Sequence, residues 1–575
     1  MWPVIHIRIL CIICLACPLP VTAQGIRIPD SSYIIANSGN IVTQGKWINN
    51  GKFTANGGTV VFAGSAQQIN GTQSSSFNQL SIASGSNTTI VSAGNSVKAI
   101  LKSDGILNAN NNLTLLANAA QTALIDGSGA GEVLGNLTVE GYLSNGYGYK
   151  YLGSPFQAAS VNEMSGEADL TAGFASVWRF DENLASNGWV KYTTATDTLK
   201  PMYGYAFQLG NVAGAKTISM TGVVNNGSLT LTLSNNNQVY TKGFQLVSNP
   251  YPSPVNWDAS GWGRTNIDNA IYYFDASDTS QYTGSYKSYI NGVSSDGTAN
   301  NFIPAMQGFF VHVSDGSYPV SGALGFSNAT RLTSIATAYR HLNGTNPVPL
   351  LRLLANFNGI KRTDAMVVYF QNAATGKFNR QLDALKIMNT ASEIPSLYSL
   401  AEAGEPLSIH AVPNPDTSSR IPLGIQTIQD GMVTLSAGIT EAIPAGISCY
   451  LYDAVTGKYN NLKENKSYEC YLPAGVYEKR FFLVFSQKPV TVTATTEPAI
   501  ERFLVSGTGR NVLLTLHTAP GEKSVIRIIN TAGQVLYNHT YTQGGNYPLS
   551  LLVATGIYYA VFITSDSIIT KKIFL

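Results

Sequence analysis

The side chains that could do chemistry are few and scattered. The six histidines are spread along the chain, and none forms an H-E-x-x-H pattern, so the sequence predicts no zinc site. No G-x-S-x-G elbow for a serine nucleophile is present. The glycine-rich run 127–131 lacks the lysine of a phosphate-binding loop, which favours a simple turn.

Acidic side chains are the remaining route to catalysis, because cleavage of a glycosidic bond needs two carboxylates about 5–10 Å apart. The candidates are Asp181 with Glu182 and Asp275 with Asp278. Asp181 and Asp275 occupy equivalent places in two internal repeats, which favours a turn or strand-end role in each copy. We therefore predict no catalytic residue, no cofactor and no metal. The alternative is a carbohydrate-active enzyme whose acid pair converges from distant strands.

Tryptophans offer a better site for binding. Trp257 and Trp262 flank Asp258 in a glycine-containing stretch. An exposed indole stacks on the face of a sugar, and a neighbouring Asp binds its hydroxyls. We predict a possible glycan contact at the two tryptophans. The alternative is a core role, which the alternation of Trp178 with Phe180 favours for Trp178.

Two of the five cysteines, Cys449 and Cys470, lie on the apolar faces of alternating segments. An even count in an oxidising compartment favours a disulfide between them. Closing a loop of this length would contribute roughly 3 kcal/mol through chain entropy. The alternative is a pair of buried free thiols.

Composition points to an extracellular all-β protein. The 575 residues leave room for several domains, only 12% are charged, and 54 glycines and 30 tyrosines indicate many strands and turns. A formal net charge of +2 argues against nucleic-acid binding. The N-terminus has Arg8, an apolar stretch and a small-residue end at Ala23, which predicts a signal peptide over 1–23. Leu15-Ala16-Cys17 also leaves a lipoprotein signal open.

Residues 24–140 contain short strands separated by Gly, Asn and Ser. Three of them share an Asn-x-Leu or Asn-Leu start, at 78–82, 112–115 and 136–139. Imperfect repeats of this kind predict a β-solenoid-like segment, in which each turn buries its apolar face against its neighbours. The alternative is an irregular β-sandwich.

Residues 141–345 contain an internal duplication. Three sequence blocks recur in the same order, beginning at Leu152 and Val247, at Val177 and Ile271, and at Pro201 and Pro304. We predict two related β-units that form either one sandwich or two small ones. Residues 346–487 read as a further β-sandwich, and 488–500 as a linker by composition.

The last segment, 501–575, predicts an antiparallel, Ig-like β-sandwich. Val525–Ile529 is a β-branched strand, and the following Asn530–Gly533 is a turn in which Gly533 supplies the positive φ of a type I turn with a bulge. Further strands follow Gly556, including Tyr558, and precede the basic pair Lys571-Lys572.

This segment resembles the C-terminal sorting domain of type IX secretion (Por) cargo from Bacteroidetes. The resemblance rests on Asn530–Val535, Gly556–Tyr558 and Lys571-Lys572, while the Y-P-N-P that usually opens the domain is replaced by Phe503–Gly507. It implies that the module is read by an outer-membrane translocon. It also implies removal by a sortase as the protein is attached to surface lipopolysaccharide or released.

Together these features predict an extracellular or outer-surface protein without enzymatic activity, either an adhesin or a structural surface component. Rigid β-domains with many loops suit such contacts. The expected ligand is a glycan or a host or matrix component. A carbohydrate-active enzyme, or a glycan-binding accessory protein, is the alternative.

Overall fold

The structure is a computed structural model that describes residues 25–486 and 502–575, apart from 165, 167–168, 172–175, 211–212, 278, 335–347, 415–418, 442, 444–445, 465, 509, 519–521 and 565–566. In this part of the chain every regular element is a β-strand except two 3-10 helices, Val161–Met164 and Asn328–Thr330. The all-β prediction is therefore confirmed. No helix among these residues has the length and hydropathy to cross a bilayer. The predicted signal peptide, 1–23, and linker, 488–500, lie outside the described residues.

The chain divides into two compact units, one made of 1–115 with 129–137 and the other of 116–128 with 138–575. The strands up to residue 134 are β1 (Ile26–Ile28), β2 (Tyr33–Ala36), β3 (Asn40–Thr43), β4 (Trp47–Asn49), β5 (Lys52–Ala55), β6 (Thr59–Phe62), β7 (Gln67–Asn70), β8 (Ser76–Ile82), β9 (Asn87–Ile90), β10 (Asn95–Ser103), β11 (Ile106–Asn108), β12 (Leu113–Leu115), β13 (Leu124–Ile125) and β14 (Glu132–Leu134). All of them except β13 belong to the first unit.

The first unit is a β-solenoid, as the repeated Asn-Leu strands predict. Its strands pair in parallel from one turn to the next, in the orders β1-β4-β7-β9-β11-β14 and β3-β6-β8-β10-β12. Trp47 aligns with Ile26 before it and Ile69 after it, so equivalent side chains stack along the solenoid. Because parallel pairing is continuous through both series, the irregular sandwich is excluded for this segment.

Aromatic side chains fill the start of the solenoid core. Trp47 contacts Phe53 edge-on at 4.9 Å between ring centroids and Phe77 at 5.6 Å. Its indole N–H donates to the Ser75 hydroxyl at 2.9 Å, so the buried donor is satisfied. Side chains of successive turns thus pack against one another in the core, as expected for a repeat architecture.

The duplicated region and its borders contain β15 (Leu137–Leu143), β16 (Tyr149–Leu152), β17 (Val177–Phe180), β18 (Trp189–Lys191), β19 (Tyr205–Gln208), β20 (Lys216–Gly222), β21 (Leu229–Asn235), β22 (Phe244–Ser248), β23 (Val255–Asn256), β24 (Gly263–Thr265), β25 (Ile271–Ala276), β26 (Gly284–Ile290), β27 (Val293–Ser294), β28 (Phe302–Ile303), β29 (Gly308–His312) and β30 (Val320–Phe326).

The two repeats have the same strand order. The first forms the antiparallel sheet β16-β19-β17-β18, and the second forms β22-β29-β25-β26 with β27 added at its edge. Reciprocal bridges join the repeats, Leu152 with Gln307 and Tyr203 with Val247. Each bridge joins the first strand of one repeat, β16 or β22, to the segment before the last strand of the other, β29 or β19, so the repeats are related by a local two-fold. They form one interlocked body.

The next segment contains β31 (Leu350–Phe357), β32 (Asp364–Phe370), β33 (Ala384–Leu385), β34 (Ser396–Leu400), β35 (Pro406–Val412), β36 (Ser419–Thr427), β37 (Gly431–Glu441), β38 (Ser448–Asp453), β39 (Lys458–Asn461), β40 (Ser467–Leu472) and β41 (Gly475–Ser486). They form one hydrogen-bonded series, β39-β38-β41-β36-β34-β35-β32-β31-β37-β40, with β33 paired to β35. Inward side chains from both halves of this series share one core, which includes Leu353, Val433 and Leu483.

The C-terminal segment is a two-sheet sandwich. Its strands are β42 (Phe503–Thr508), β43 (Asn511–Leu516), β44 (Ser524–Asn530), β45 (Val535–Tyr541), β46 (Gly545–Ser550), β47 (Ile557–Ile563) and β48 (Ile568–Phe574). The sheets are β42-β43-β46 and β45-β44-β47-β48. Gly533 has φ +82° in the turn between β44 and β45, and the pairing shifts by a bulge at Ile528/Ile529. The turn geometry predicted from Asn530–Gly533 is therefore present.

Candidate functional site

The second unit contains a cavity of about 1440 Å³ bordered by the second repeat. Its described lining is rich in polar side chains, among them Asp258, Arg264, Asn269, Tyr289, Asn301 and Gln307. These six residues come from the loop between β23 and β24, from β24 and the segment after it, from the β26–β27 hairpin and from the segments on either side of β28. Most of the polar lining therefore comes from loops and short strands of the second repeat, a common place for a ligand site.

The β26–β27 hairpin presents its turn at the rim. Asn291 and Gly292 have φ of +45° and +85°, as a two-residue type I′ turn requires. The turn is tied down because the Gly292 N–H donates to the Tyr289 hydroxyl at 2.8 Å and the Asn291 amide donates to the carbonyl of Gln381 at 2.6 Å. The Asn291-Gly292 pair thus sets the conformation of this turn, which forms one wall of the cavity.

Arg264 forms a second wall and is held flat against Trp257. Its guanidinium carbon lies 3.7 Å from the centre of the Trp257 ring. Nη1 donates to Asn269 Oδ1 at 3.1 Å, and Nη2 donates to the carbonyl of Trp257. Nε is buried without a hydrogen-bond partner. Burial lowers the pKa of Arg264 to about 10, and the charge of Asp258 opposes this only in part.

Asp258 is paired with a phenol. The Tyr289 hydroxyl donates to Asp258 Oδ2 at 2.5 Å. Burial raises the pKa of Tyr289 well above its ordinary value, and the hydrogen bond and charge of Asp258 raise it further. Tyr289 therefore stays protonated at neutral pH and fixes the carboxylate, which leaves Asp258 Oδ1 as an acceptor beside the cavity.

Amide groups complete the polar lining. Asn301 is buried and donates to Asn256 Oδ1 at 2.9 Å, and the backbone carbonyl of Asn301 accepts from the Trp257 N–H at 2.7 Å. Asp258 is the sole carboxylate among the described lining residues. An acid pair of the kind that cleaves a glycosidic bond is thus not assembled from these residues. The arrangement suits binding of a hydroxyl-rich molecule.

With this geometry in place, one comparison decides the family. A family profile described as a domain of unknown function, DUF8693, matches residues 36–485. The chain belongs to this family. The match runs from the solenoid to the end of the segment that contains β31 to β41, here called the second sandwich, and stops before the C-terminal module. No curated protein matches the chain.

Two solved structures show distant similarity. A β-glucuronidase from Ruminococcus gnavus, in complex with uronic isofagomine, has 8% identity over 61% of this chain and 45% of its own, with a TM-score of 0.11. The chain therefore spans less than half of that enzyme. The BSP domain of a biofilm-associated protein has 9% identity over 76% of this chain and 92% of its own, also with a TM-score of 0.11. At these scores neither similarity carries an argument about fold or function.

The structure buries one of the two predicted glycan-contact tryptophans and leaves the other partly exposed. Trp257 is 1% exposed, its ring is covered by Arg264, and its indole N–H donates to the carbonyl of Asn269 at 2.7 Å. Trp262 is half-buried beside Trp257 and Phe326, with ring centroids 4.6 and 4.5 Å away. The ring of Trp257 is therefore closed to a sugar, whereas Trp262 keeps part of its surface exposed. Trp257 acts at the cavity by positioning Arg264.

Asp181 and Asp275 do not meet at a site. Asp181 is bound by Arg179 at 2.9 Å, and Asp275 lies 3.3 Å from Lys287 and 3.2 Å from Arg362. Burial alone would raise the pKa of Asp181, but hydrogen bonds from Arg179 and Asn183 lower it overall. Asp181 thus pairs with a cation of its own repeat, and Asp275 pairs with Lys287 of its repeat and Arg362 of the following segment.

The structure does not contain the predicted disulfide. Cys449 and Cys470 are both free and buried. Cys449 on β38 pairs opposite Phe485, whereas Cys470 on β40 pairs opposite Val433, near the other end of the strand series. Burial raises the pKa of the two thiols to about 11 and about 12. The expected pairing is corrected to two free thiols, because alternation shows that both face a core but not that they meet.

The residues of the proposed sorting motif occupy structural positions in the C-terminal sandwich. The backbones of Gly556 and Leu575 exchange two hydrogen bonds, at 2.8 and 3.0 Å. Tyr558 is buried and donates to the carbonyl of Ala554 at 2.6 Å. Lys571 and Lys572 lie on the last strand opposite Ala560 and Tyr559, and Lys572 is exposed.

Sequence reasoning missed Arg264, Tyr289 and Asn301 as cavity residues. Arg264 follows Trp262 by two residues, but nothing in that spacing says that its guanidinium folds back over Trp257. Tyr289 lies 31 residues from its partner Asp258. The Asn291-Gly292 turn was the available local signal, since it predicts a hairpin that ends at this point.

Proposed function

We propose that this protein is a non-catalytic surface or secreted protein, an adhesin that binds a glycan in the cavity of the second unit. The observation that carries the proposal is the cavity of about 1440 Å³ with its converging carboxylate, guanidinium and amide groups. Pockets for small ligands are roughly 300–1,000 Å³, so there is room for more than one sugar ring. Sugar hydroxyls both donate and accept, and Asn, Asp and Arg supply the complementary groups.

We also propose that the protein is exported to the outer surface of a Bacteroidetes bacterium by the type IX system. The resemblance of 501–575 to sorting domains supports this, as does a family match that ends at residue 485, before that module. The expected partners are the outer-membrane translocon and its sortase, and surface lipopolysaccharide if the protein is attached rather than released.

Export is tested by comparing the full chain with a variant that ends at Pro498. Cells are fractionated, and the intact mass of each product is measured. The proposal expects the full chain at the surface or in the medium without its C-terminal module, and the shortened variant in the periplasm. Equal delivery of both forms would show that 501–575 is a terminal sandwich without a sorting role.

Glycan binding is tested by titrating the purified chain 24–575 with a panel of neutral and acidic oligosaccharides in a calorimeter. Tyr289→Phe removes the hydroxyl that fixes Asp258, and we expect at least a tenfold loss of affinity. Tyr318→Phe is the matched control, since Tyr318 is exposed and bonds only Asp315 at 2.7 Å. Hydrolysis of any panel member would instead favour the enzyme alternative, and no binding would contradict the glycan proposal.

A further inference from the structure

At the cavity wall, the described residues provide no carboxylate that hydrogen-bonds Arg264. The described part of the chain gives this guanidinium no ion pair, and its two hydrogen bonds go to a side-chain amide oxygen and a backbone carbonyl. Its Nε is buried without a partner. A buried guanidinium is stable when a carboxylate satisfies it through paired N–H···O bonds. Arg264 therefore has donor capacity that the fold does not use.

The nearby carboxylate, that of Asp258, is hydrogen-bonded to another residue and not to Arg264. Asp258 Oδ2 accepts from the Tyr289 hydroxyl at 2.5 Å, and the backbone N–H of Asp258 donates to Asn256 Oδ1 at 2.9 Å. It interacts with Arg264 through space but forms no hydrogen bond with it. The fold thus keeps Asp258 and Arg264 as separate polar groups on the same wall.

A second guanidinium reaches the same cavity. Arg352 on β31 is buried and donates through Nε and Nη2 to the carbonyls of Ser295 and Ser294, at 2.9 and 3.0 Å. These bonds fix its position beside the β26–β27 hairpin. The charged groups of the described lining are therefore two guanidiniums and one carboxylate, which favours an anionic ligand over a neutral or cationic one.

We infer that the ligand is an acidic saccharide whose carboxylate binds Arg264, with its hydroxyls facing the amides and Asp258. This inference rests on the proposed glycan binding and specifies its chemistry. Trp257 fixes the plane of the guanidinium from one side, so its N–H edges have a defined direction, as bidentate recognition of a carboxylate requires. A uronic acid supplies both the carboxylate and the ring hydroxyls.

The test is calorimetric titration of the chain 24–575 with trigalacturonate and, in parallel, with neutral galactotriose. We expect trigalacturonate to bind at least tenfold more tightly, with an affinity that falls as NaCl is raised. Arg264→Lys keeps the charge but loses the planar fork, and it should remove most of this preference. Arg420→Lys is the matched control, because Arg420 also lies over an aromatic ring, Phe482 at 3.9 Å, but in the other sandwich.

Asp258→Asn should change the affinity for trigalacturonate in the direction opposite to Arg264→Lys. It removes the like charge near the bound carboxylate, so the affinity for trigalacturonate should rise, a result that misfolding cannot produce. Equal binding of both trisaccharides would overturn the acidic inference and leave glycan binding intact. No binding of either would overturn both. Equal binding of triglutamate would show recognition of any carboxylate and would also overturn the inference.

Discussion

At the level of single residues, the second sandwich contains a buried ion pair on which its stability depends. Lys386 Nζ lies 2.5 Å from Asp364 Oδ2, and both side chains are almost fully buried. Asp364 Oδ2 also accepts from the Leu397 N–H at 2.6 Å. The pair thus links the chain after β33 to β32 and to the start of β34, and neither charge has access to solvent.

Lys386→Met should destabilise this sandwich by about 3–5 kcal/mol, because it leaves the Asp364 carboxylate buried without its cation. Amide hydrogen exchange of β32 and β34 peptides measures the change, since the tryptophans lie outside this sandwich. Lys102→Ala on the solenoid surface is the control: Lys102 and Asp104 are 3.6 Å apart and partly exposed. We expect a change below about 1 kcal/mol there. Similar effects of both changes would contradict the argument.

Two titrating groups in the same sandwich should act on stability in opposite directions. Burial lowers the pKa of His410 to about 4, and its Nε2 has no hydrogen-bond partner. Its contribution is present above pH 6.5 and is lost as the pH falls towards 4. Burial raises the pKa of Asp383 to about 7, although two backbone N–H groups oppose this. Its contribution is present below about pH 4 and is lost as the pH rises through 7.

Removal of either group should therefore leave the pH dependence of stability that the other group produces. His410→Gln should become less stable as the pH rises from 4 to 7, and Asp383→Asn should become more stable over the same interval. The full His410 effect is roughly 3 kcal/mol, at about 1.4 kcal/mol for each pH unit. Hydrogen exchange of β35 at pH 4.5 and 7, corrected for intrinsic rates, measures both slopes. Parallel profiles for the wild type and the two variants would exclude these residues as the source.

Among the elements, the local two-fold of the duplicated region depends on close backbone contacts. Met202 and Met306 precede the last strands of the two repeats, β19 and β29, and have φ of +68° and +63°. Two residues later, a Cβ on Gly204 would lie 2.7 Å from the carbonyl oxygen of Val247, and one on Gly308 would lie 2.8 Å from the carbonyl carbon of Tyr151. The same close backbone contact thus occurs once in each repeat, and glycine is needed at both positions.

Gly308→Ala should destabilise the duplicated region by about 1–3 kcal/mol, because the methyl group meets backbone that cannot move freely. Denaturant unfolding followed by tryptophan fluorescence measures this, since Trp178, Trp189, Trp257 and Trp262 all lie in the region. Gly166→Ala is the control, as no heavy atom lies within 4 Å of its Cβ position. An unchanged midpoint for Gly308→Ala would show that this backbone contact is looser than its distances indicate.

At the scale of the whole molecule, the C-terminal module packs on the second sandwich. Buried Met432 and Tyr471 form a small cluster with Ile529 and Val561 of the module. Arg527 Nη1 lies 2.5 Å from Asp430 Oδ2 and 3.0 Å from the Tyr471 hydroxyl. The contact is small and partly polar, which is typical of domains that can separate.

A chain that ends at Pro498 should expose this face of the second sandwich while remaining folded. Met432 and Tyr471 are 2% and 0% exposed in the full chain, and they would lose their cover. We expect stronger binding of a hydrophobic dye, with unchanged far-UV circular dichroism. Met432→Gln in the shortened chain should reduce the dye signal. No increase on shortening would show that the module does not cover this face in solution.

Features that depend on neighbours along the chain could be predicted from the amino-acid residues alone. Alternation of apolar residues gave the strands, the repeated Asn-Leu segments gave the solenoid, and Gly533 gave its turn because positive φ is a local requirement. The duplication was also predictable, because the two repeats have similar residues in the same order. The way the two repeats interlock was not, because bridges such as Leu152 to Gln307 join residues far apart in the chain.

The contacts between side chains that are distant in sequence became known from the fold. Both tryptophans were noted beside Asp258, yet Arg264 covers Trp257 and Tyr289 fixes Asp258 through contacts that no spacing encodes. Cys449 and Cys470 both face the core, but their strands lie near opposite ends of the series. The physical reason is the same in each case: a strand pattern fixes the face that a side chain occupies, whereas packing between distant strands fixes its partner.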